Sequence, residues 1–266
     1  MSAVRDRTAT APVWRIVTGR ELRDLWLTGR GLPLMVGYTV LLSVTSYLTA
    51  SNRALNFLEQ RETVGLTLQI AVAVGALLVL VTAADAISGE RDRGTLETLL
   101  LAPAPRRALV VGKWVSSLSL WAVAFVASVP YVWYLGRGTR VTAAALVGGL
   151  VVGGLLALFT GALGLLLSVA SSSSRVSLSA GLFLLFALFA PTQLPTGAQQ
   201  SWFGDLLLRI DPFTAGLRYL GKLTVNGHGP MEDVGWLVGP VALAVLVPAV
   251  LFVVGERLAL RPGDRT

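Results

Sequence analysis

Cysteine is absent from all 266 residues. Its absence excludes a disulfide framework, an iron–sulfur cluster and a thiolate zinc site. The one histidine, His228, gives no basis for a histidine-ligated metal centre. Charge is also scarce. Asp, Glu, Lys and Arg make up 14% of the chain, against about 25% in soluble domains, too few to clothe a soluble surface of this size. The basic residues do not gather into one stripe, so the net charge of +7 does not point to nucleic acid. The first thirty residues are not expected to be a signal peptide, because Arg5, Arg7, Arg15, Arg20, Arg23 and Arg30 interrupt any apolar core there.

Apolar residues are abundant, at 54%, and they come in runs of about 20, the length that spans a bilayer. The expected fold class is an all-α polytopic membrane protein. Six transmembrane helices are predicted at Leu32–Ala50, Val64–Ile87, Leu109–Leu135, Val141–Ala170, Val176–Pro191 and Gly235–Val254. Residues 1–30 form a cytoplasmic N-terminal segment and residues 31–266 the six-span domain. With both termini in the cytoplasm, fifteen of the 22 Lys and Arg residues fall inside and seven outside. That is the asymmetry the positive-inside rule requires.

Several segments carry two readings. Residues 13–28 suit an interfacial helix anchored by Trp14 and Trp26, or an ordinary lead-in. Span 2 contains Asp85, which suits the headgroup level or a proton or substrate site. In span 4, Ala145, Gly149, Gly153, Ala157 and Gly161 recur every fourth residue. Such a stripe lets another helix approach closely, either in a second chain or in this one. The extracellular loop 192–234 contains an apolar block, Trp202 to Ile210. A partly helical segment is predicted there, dipping into the membrane or covering the spans. Within that loop Gly216 to Lys222 fits GxxxxGK, but Leu223 stands where Mg²⁺ coordination needs Ser or Thr. His228, Glu232 and Asp233 read as an exposed polar loop rather than a metal site.

The stretch Gly89–Trp114 resists a membrane assignment. It carries Glu90, Arg91, Asp92, Arg93, Glu97, Arg106, Arg107 and Lys113 between two apolar runs. Gly94 permits a tight turn, and Thr95 can cap a short helix with Glu97 in its first turn. Leu96, Leu99 and Leu100 share one face, and Pro103 and Pro105 end the helix. A short helix with an apolar face suits a groove on another protein; the alternative is a solvated loop.

Glu90-Arg91, Gly94-Thr95-Leu96-Glu97, Leu99-Leu100, Pro103, Arg106 and Gly112-Lys113 together resemble the signature of ABC-2 type transporter permeases. The six-span layout, the long loop before span 6 and Arg20-Glu21-Leu22-Arg23-Asp24 also resemble that family, so the likeness covers nearly the whole chain. A narrower likeness is to the branch containing the nitrous-oxide-reductase maturation permease. The resemblance implies the membrane subunit of an ABC exporter. Segment 89–108 would then be a cytoplasmic coupling helix, with Glu90, Arg91, Gly94, Thr95, Leu96, Glu97 and Leu100 coupling to a separate ATPase. Gly149, Gly153, Ala157 and Gly161 would serve helix packing. Two ABC ATPase copies and a second permease chain, in a homodimer or heterodimer, are implied as partners, with membrane lipid around them. ATP and Mg²⁺ would sit on the ATPase, leaving this chain without a cofactor, a metal or a catalytic residue. The expected location is the cytoplasmic membrane of a prokaryote. A membrane enzyme or a channel without an ATPase is the alternative. The low charge of the spans suits an apolar or amphiphilic cargo.

Overall fold

The computed structural model describes residues 13–51, 57–96, 105–193 and 201–255. Among them every regular element is helical. Five helices are long and apolar enough to cross a membrane. They are α2 (Gly31–Ala50), α3 (Phe57–Asp85), α5 (Arg106–Leu135), α6 (Thr142–Ala170) and α10 (Val238–Gly255). Between α3 and α5 lies the one-turn helix α4 (Ser88–Asp92). A further apolar helix, α7 (Ser174–Phe189), has 16 residues. It covers about 24 Å at 1.5 Å per residue, less than the hydrocarbon core of about 30 Å, and a 3₁₀ turn, Ala190–Gln193, continues it.

The expected span boundaries are close except at the start of α3. Span 2 is expected from Val64, yet the helix begins at Phe57. Hydropathy marks where a helix meets lipid, not where its hydrogen bonding begins. The polar first turns are held by Gln60, whose Nε2 donates to the carbonyls of Leu135 and Arg137, both at 3.3 Å.

α3 and α6 make the most extensive contact in the bundle. They approach so closely that a methyl group on Gly164 would lie 2.7 Å from the Leu80 carbonyl oxygen. The four-residue stripe of α6 faces this interior. A methyl on Gly149 would fall 2.6 Å from Leu68 Cδ1, and one on Gly153 would overlap the Trp121 ring. Ala157 is fully buried, and Gly161 lies under Trp114 and Val79. The stripe thus yields its space to α3 and α5 of the same chain. α5 shows the buried face of a well-packed helix in Lys113, Ser117, Leu120, Ala124, Ser128, Val132 and Leu135, the i, i+3/i+4 spacing of one side.

Two elements flank the bundle. The first is α1 (Val13–Arg23), continued by a π-helical turn, Asp24–Thr28. It lies along the start of α5, where a methyl on Gly112 would meet Val17 Cγ1 at 2.7 Å. The two expected anchors therefore behave differently. Trp14 is 43% exposed with Arg15 over its ring, whereas Trp26 turns inward and donates to Ser119 Oγ at 3.0 Å. The second element is the segment between α7 and α10, which holds α8 (Trp202–Ile210), α9 (Pro212–Gly221) and a π turn, Lys222–Asn226. Asp211 caps α9, accepting from Thr214 N at 2.8 Å, and Pro212 occupies the first turn, where its missing N–H costs nothing. Burial raises the Asp211 carboxyl above its ordinary pKa. α9 reaches well into the bundle. A methyl on its Gly216 would touch Val152 at 2.8 Å, a residue ten positions, or about 15 Å, beyond the start of α6.

Candidate functional site

The site is built at the end of the bundle where α3 breaks. A helix end leaves amides without partners, and burial makes that costly. Here side chains from distant helices satisfy them. Ser168 Oγ of α6 accepts from Ile87 N at 3.0 Å and Ser88 N at 2.8 Å. Ser88 Oγ and Ser177 Oγ both donate to the Ala84 carbonyl, at 2.7 and 2.8 Å. The break is therefore a fixed corner, and it sets the direction of α4.

α4 points Glu90 inward. Its Oε1 lies 2.5 Å from Lys113 Nζ, which also reaches Glu21 Oε2 at 3.1 Å. The Lys113 side chain is only 3% exposed. A lysine so placed would be very costly without its carboxylates, so one ammonium ties α1, α4 and α5 together. Glu90 Oε2 is buried and accepts no hydrogen bond from the described residues.

A second knot surrounds Asp85. Arg30 and Arg93 approach its Oδ2 at 3.1 and 3.5 Å, and Ser174 Oγ donates to Oδ1. Asp92 Oδ2 accepts from Ser174 N at 2.8 Å at the start of α7, where a carboxylate is favoured. Arg91 Nη1 donates to the Ser171 carbonyl. These partners join the end of α3 to Arg30, which precedes α2, and to Ser174 at the start of α7, a role that neither reading of Asp85 includes. The two knots line a cavity of about 680 Å³ containing Glu21, Arg30, Asp85, Glu90, Arg93 and Lys113.

Beyond α4, Gly94 takes φ +69°, a left-handed turn that glycine adopts at no steric cost. Thr95 then folds back: its N and Oγ1 both donate to the Glu90 carbonyl, at 3.0 and 3.2 Å. Leu96 is 3% exposed and packs with Ala83, Ile87, Val110, Leu165 and Leu251. An apolar face open to a partner was expected of Leu96; the structure turns this residue into its own bundle, because the Gly94 turn reverses the chain. Asp92, Arg93, Gly94 and Thr95 are exposed. Glu97, Leu99, Leu100 and Pro103 lie outside the described residues. Pro105 caps the start of α5.

Sequence reasoning brought Glu90, Arg91, Gly94, Thr95 and Leu96 into one segment, and the structure keeps them adjacent. It missed Lys113 as their buried hub, Glu21 as its second partner and Ser168 as the clamp on the corner. One signal was available: Lys113 stands on the same helical face as Ser117, Leu120 and Ala124, and a lysine on a buried face demands a carboxylate.

At the opposite end the charged groups pair locally. Lys222 Nζ lies 2.5 Å and His228 Nδ1 2.6 Å from the carboxylate of Asp233. The hydrogen bonds from Lys222 and then His228 hold the Asp233 carboxyl below its ordinary pKa. Gly216 to Lys222 runs as continuous helix, not the strand–loop–helix of a phosphate loop. Among the described residues no group of three or more His, Cys, Asp and Glu could hold a metal.

What the α3–α4 corner can do is carry displacement, since a push on residues 90–93 reaches α1 and α5 through the buried Lys113 pairs, α3 through Arg93 and Asp85, and α7 through the hydrogen bond from Ser174 N to Asp92. A family model described as ABC-2 family transporter protein matches residues 18–255, which includes both knots and all the described helices except the first residues of α1. No curated protein matches the chain.

Proposed function

The chain belongs to the ABC-2 family of transporter proteins, and on that premise we propose that it is the permease subunit of an ATP-driven exporter, with segment 89–108 as the element that couples it to a separate ATPase. The observation that carries this reading is the tie of Glu21, Lys113 and Glu90 at the root of that segment. A segment that only joined two spans would need no buried anchor. A segment that receives force must be rooted, because a loose peg would absorb the stroke.

The coupling residues then fall into three groups. Glu90, Arg91 and Leu96 root the segment in the bundle, Gly94 and Thr95 shape its turn, and Glu97 and Leu100 stand on the part that meets the ATPase. ATP and Mg²⁺ are bound by that partner in two copies, and a second permease chain completes the transporter. On this reading the α3–α4 corner faces the cytoplasm of a prokaryotic cell, with both termini on the same side.

The test uses the full chain assembled with its ATPase in lipid nanodiscs. Glu97→Lys should insert and melt like the wild type, while ATPase binding weakens at least about tenfold, or roughly 1.4 kcal/mol, and permease-dependent ATP hydrolysis falls with it. Unchanged binding and unchanged hydrolysis in that variant would sink the coupling assignment.

A further inference from the structure

A cleft of about 970 Å³ opens between α2 and α5. α2 starts next to Arg30, which pairs with Asp85 at the corner, and the cleft is lined by the last turn of α2, so it lies at the opposite end of the bundle. Its walls include Ser46 and Tyr47 of α2, Tyr131, Trp133 and Tyr134 of α5, and Arg137 of the turn that follows. Beside it the Tyr131 hydroxyl and Ser43 Oγ lie 2.7 Å apart, which holds the two helices together. Aromatic rings are common at membrane interfaces. Here four of them converge on one cleft beside a guanidinium.

These groups have unused capacity. Arg137 is exposed, and its guanidinium lies 5.0 Å from the centre of the Tyr134 ring. Among the described residues no carboxylate pairs with it and no acid lines the cleft. Ser46 Oγ is buried and has no hydrogen-bond partner among the described residues. Tyr47 is 73% and Trp133 59% exposed, and among the described residues no cation lies over either ring. The cleft therefore offers a guanidinium and a hydroxyl to an anion, and two ring faces to a cation. A cationic head would face Arg137 with nothing to offset it. An anionic head would leave both rings unengaged, and a neutral one would leave the guanidinium to water. A phosphate carrying an ammonium a few bonds away engages them all.

Deeper along the helices the cleft continues as an apolar track. Val40 and Val44 share a face with Tyr47, and Val123 and Val126 share a face with Trp133, by their spacing of three, four and seven residues. All four valines are exposed, and α2 packs against α5. The track suits acyl chains, which a free phospho-ammonium compound lacks.

From this complementarity we propose that the cleft between α2 and α5 binds a zwitterionic phospholipid, with its phosphate at Arg137 and Ser46, its ammonium over Tyr47 and Trp133, and its acyl chains along Val44 and Val126. The site lies at the far end from segment 89–108 and stands independently of the coupling reading.

Lipid binding to the purified full chain in a non-ionic detergent tests the cleft without an ATPase. The chain is titrated with phosphatidylethanolamine, phosphatidylcholine, phosphatidylglycerol and diacylglycerol of the same acyl chains, and bound lipid is counted by native mass spectrometry. The wild type should bind both zwitterionic lipids about fivefold more tightly than phosphatidylglycerol, the gain that ammonium over exposed rings supplies, and diacylglycerol most weakly. Free phosphoethanolamine should displace little. Arg137→Gln should weaken all three phospholipids alike and keep the ratio among them. The double variant Tyr47→Leu/Trp133→Leu should abolish that ratio and leave phosphatidylglycerol binding as it was, whereas Tyr47→Phe/Trp133→Phe retains the ratio. Trp14→Leu, which removes an exposed ring at the other end, should change nothing. Thermal melting of each variant checks that it remains folded. Equal affinity for zwitterionic and anionic lipids in the wild type, a ratio that survives in the folded double leucine variant, the same loss in Trp14→Leu, or full displacement by free phosphoethanolamine would each overturn the proposal.

Discussion

Each end of the bundle has a lysine paired with carboxylate, and the two pairs differ in reach. Lys113 is 3% exposed and joins residues 92 and 23 positions away in the chain. Lys222 is 33% exposed and joins Asp233, 11 positions away. The first pair fastens three helices to one another. The second closes a single turn after α9. The difference lies in what each would cost to break. A buried pair that loses one partner strands a charge in a poor solvent, whereas a half-buried pair that loses one partner leaves the other within reach of water. One end of this molecule is built to hold its elements in fixed relation, and the other to shape a local surface.

The comparison can be broken most decisively at Lys113. Lys113→Met removes the shared counterion and leaves Glu21 and Glu90 facing each other. The loss expected from a broken buried pair is about 3–5 kcal/mol, read as a lower thermal midpoint in detergent. Melting like the wild type would show that the lysine ties nothing. A milder perturbation is Glu90→Gln, which leaves Lys113 with Glu21 and preserves shape. The stability cost should be about 1–3 kcal/mol, as for a buried hydrogen-bonding partner. The sharper readout is functional: permease-dependent ATP hydrolysis should fall while ATPase binding is kept, because the segment still docks but is no longer rooted. Loss of binding instead would place Glu90 on the docking face.

The smallest effect is expected at the other end and depends on pH. The Asp233 carboxyl is held below the ordinary value of 3.8 by Lys222 first and then His228. A lowered folded-state pKa contributes stability above the unfolded value, and that stability disappears as pH falls through the folded one. Asp233→Asn should therefore melt slightly below the wild type at neutral pH, with a gap that closes only under acid below 3.8. A gap as large as that of Lys113→Met would erase the distinction between the two ends.

Much of the fold was legible in the sequence because a bilayer constrains a chain harshly. A span must be apolar over its length and must satisfy its own backbone, so composition marks α2, α3, α5, α6 and α10. The α6 stripe was equally visible as a surface of close approach, but not the identity of its neighbour, which proved to be Trp121 and α3. The site was legible only in part. The charges from Glu90 to Lys113 announced a segment outside the lipid, and their spacing resembled a family. Spacing along a helix shows which residues share a face; it does not show what lies opposite. So Leu96 read as an outward leucine, and Asp85 remained open between two roles.

The sequence by itself determined that this is a helical membrane protein, where most of its spans lie, and that a charged segment interrupts them. Those properties follow from local composition and solvent, which need no knowledge of distant contacts. Tertiary structure alone decided that Lys113 joins Glu21 to Glu90, that Ser168 clamps the corner before α4, and that Leu96 turns inward. These are meetings of residues far apart in the chain, and the packing of helices against one another, which hydropathy does not encode, brings them together.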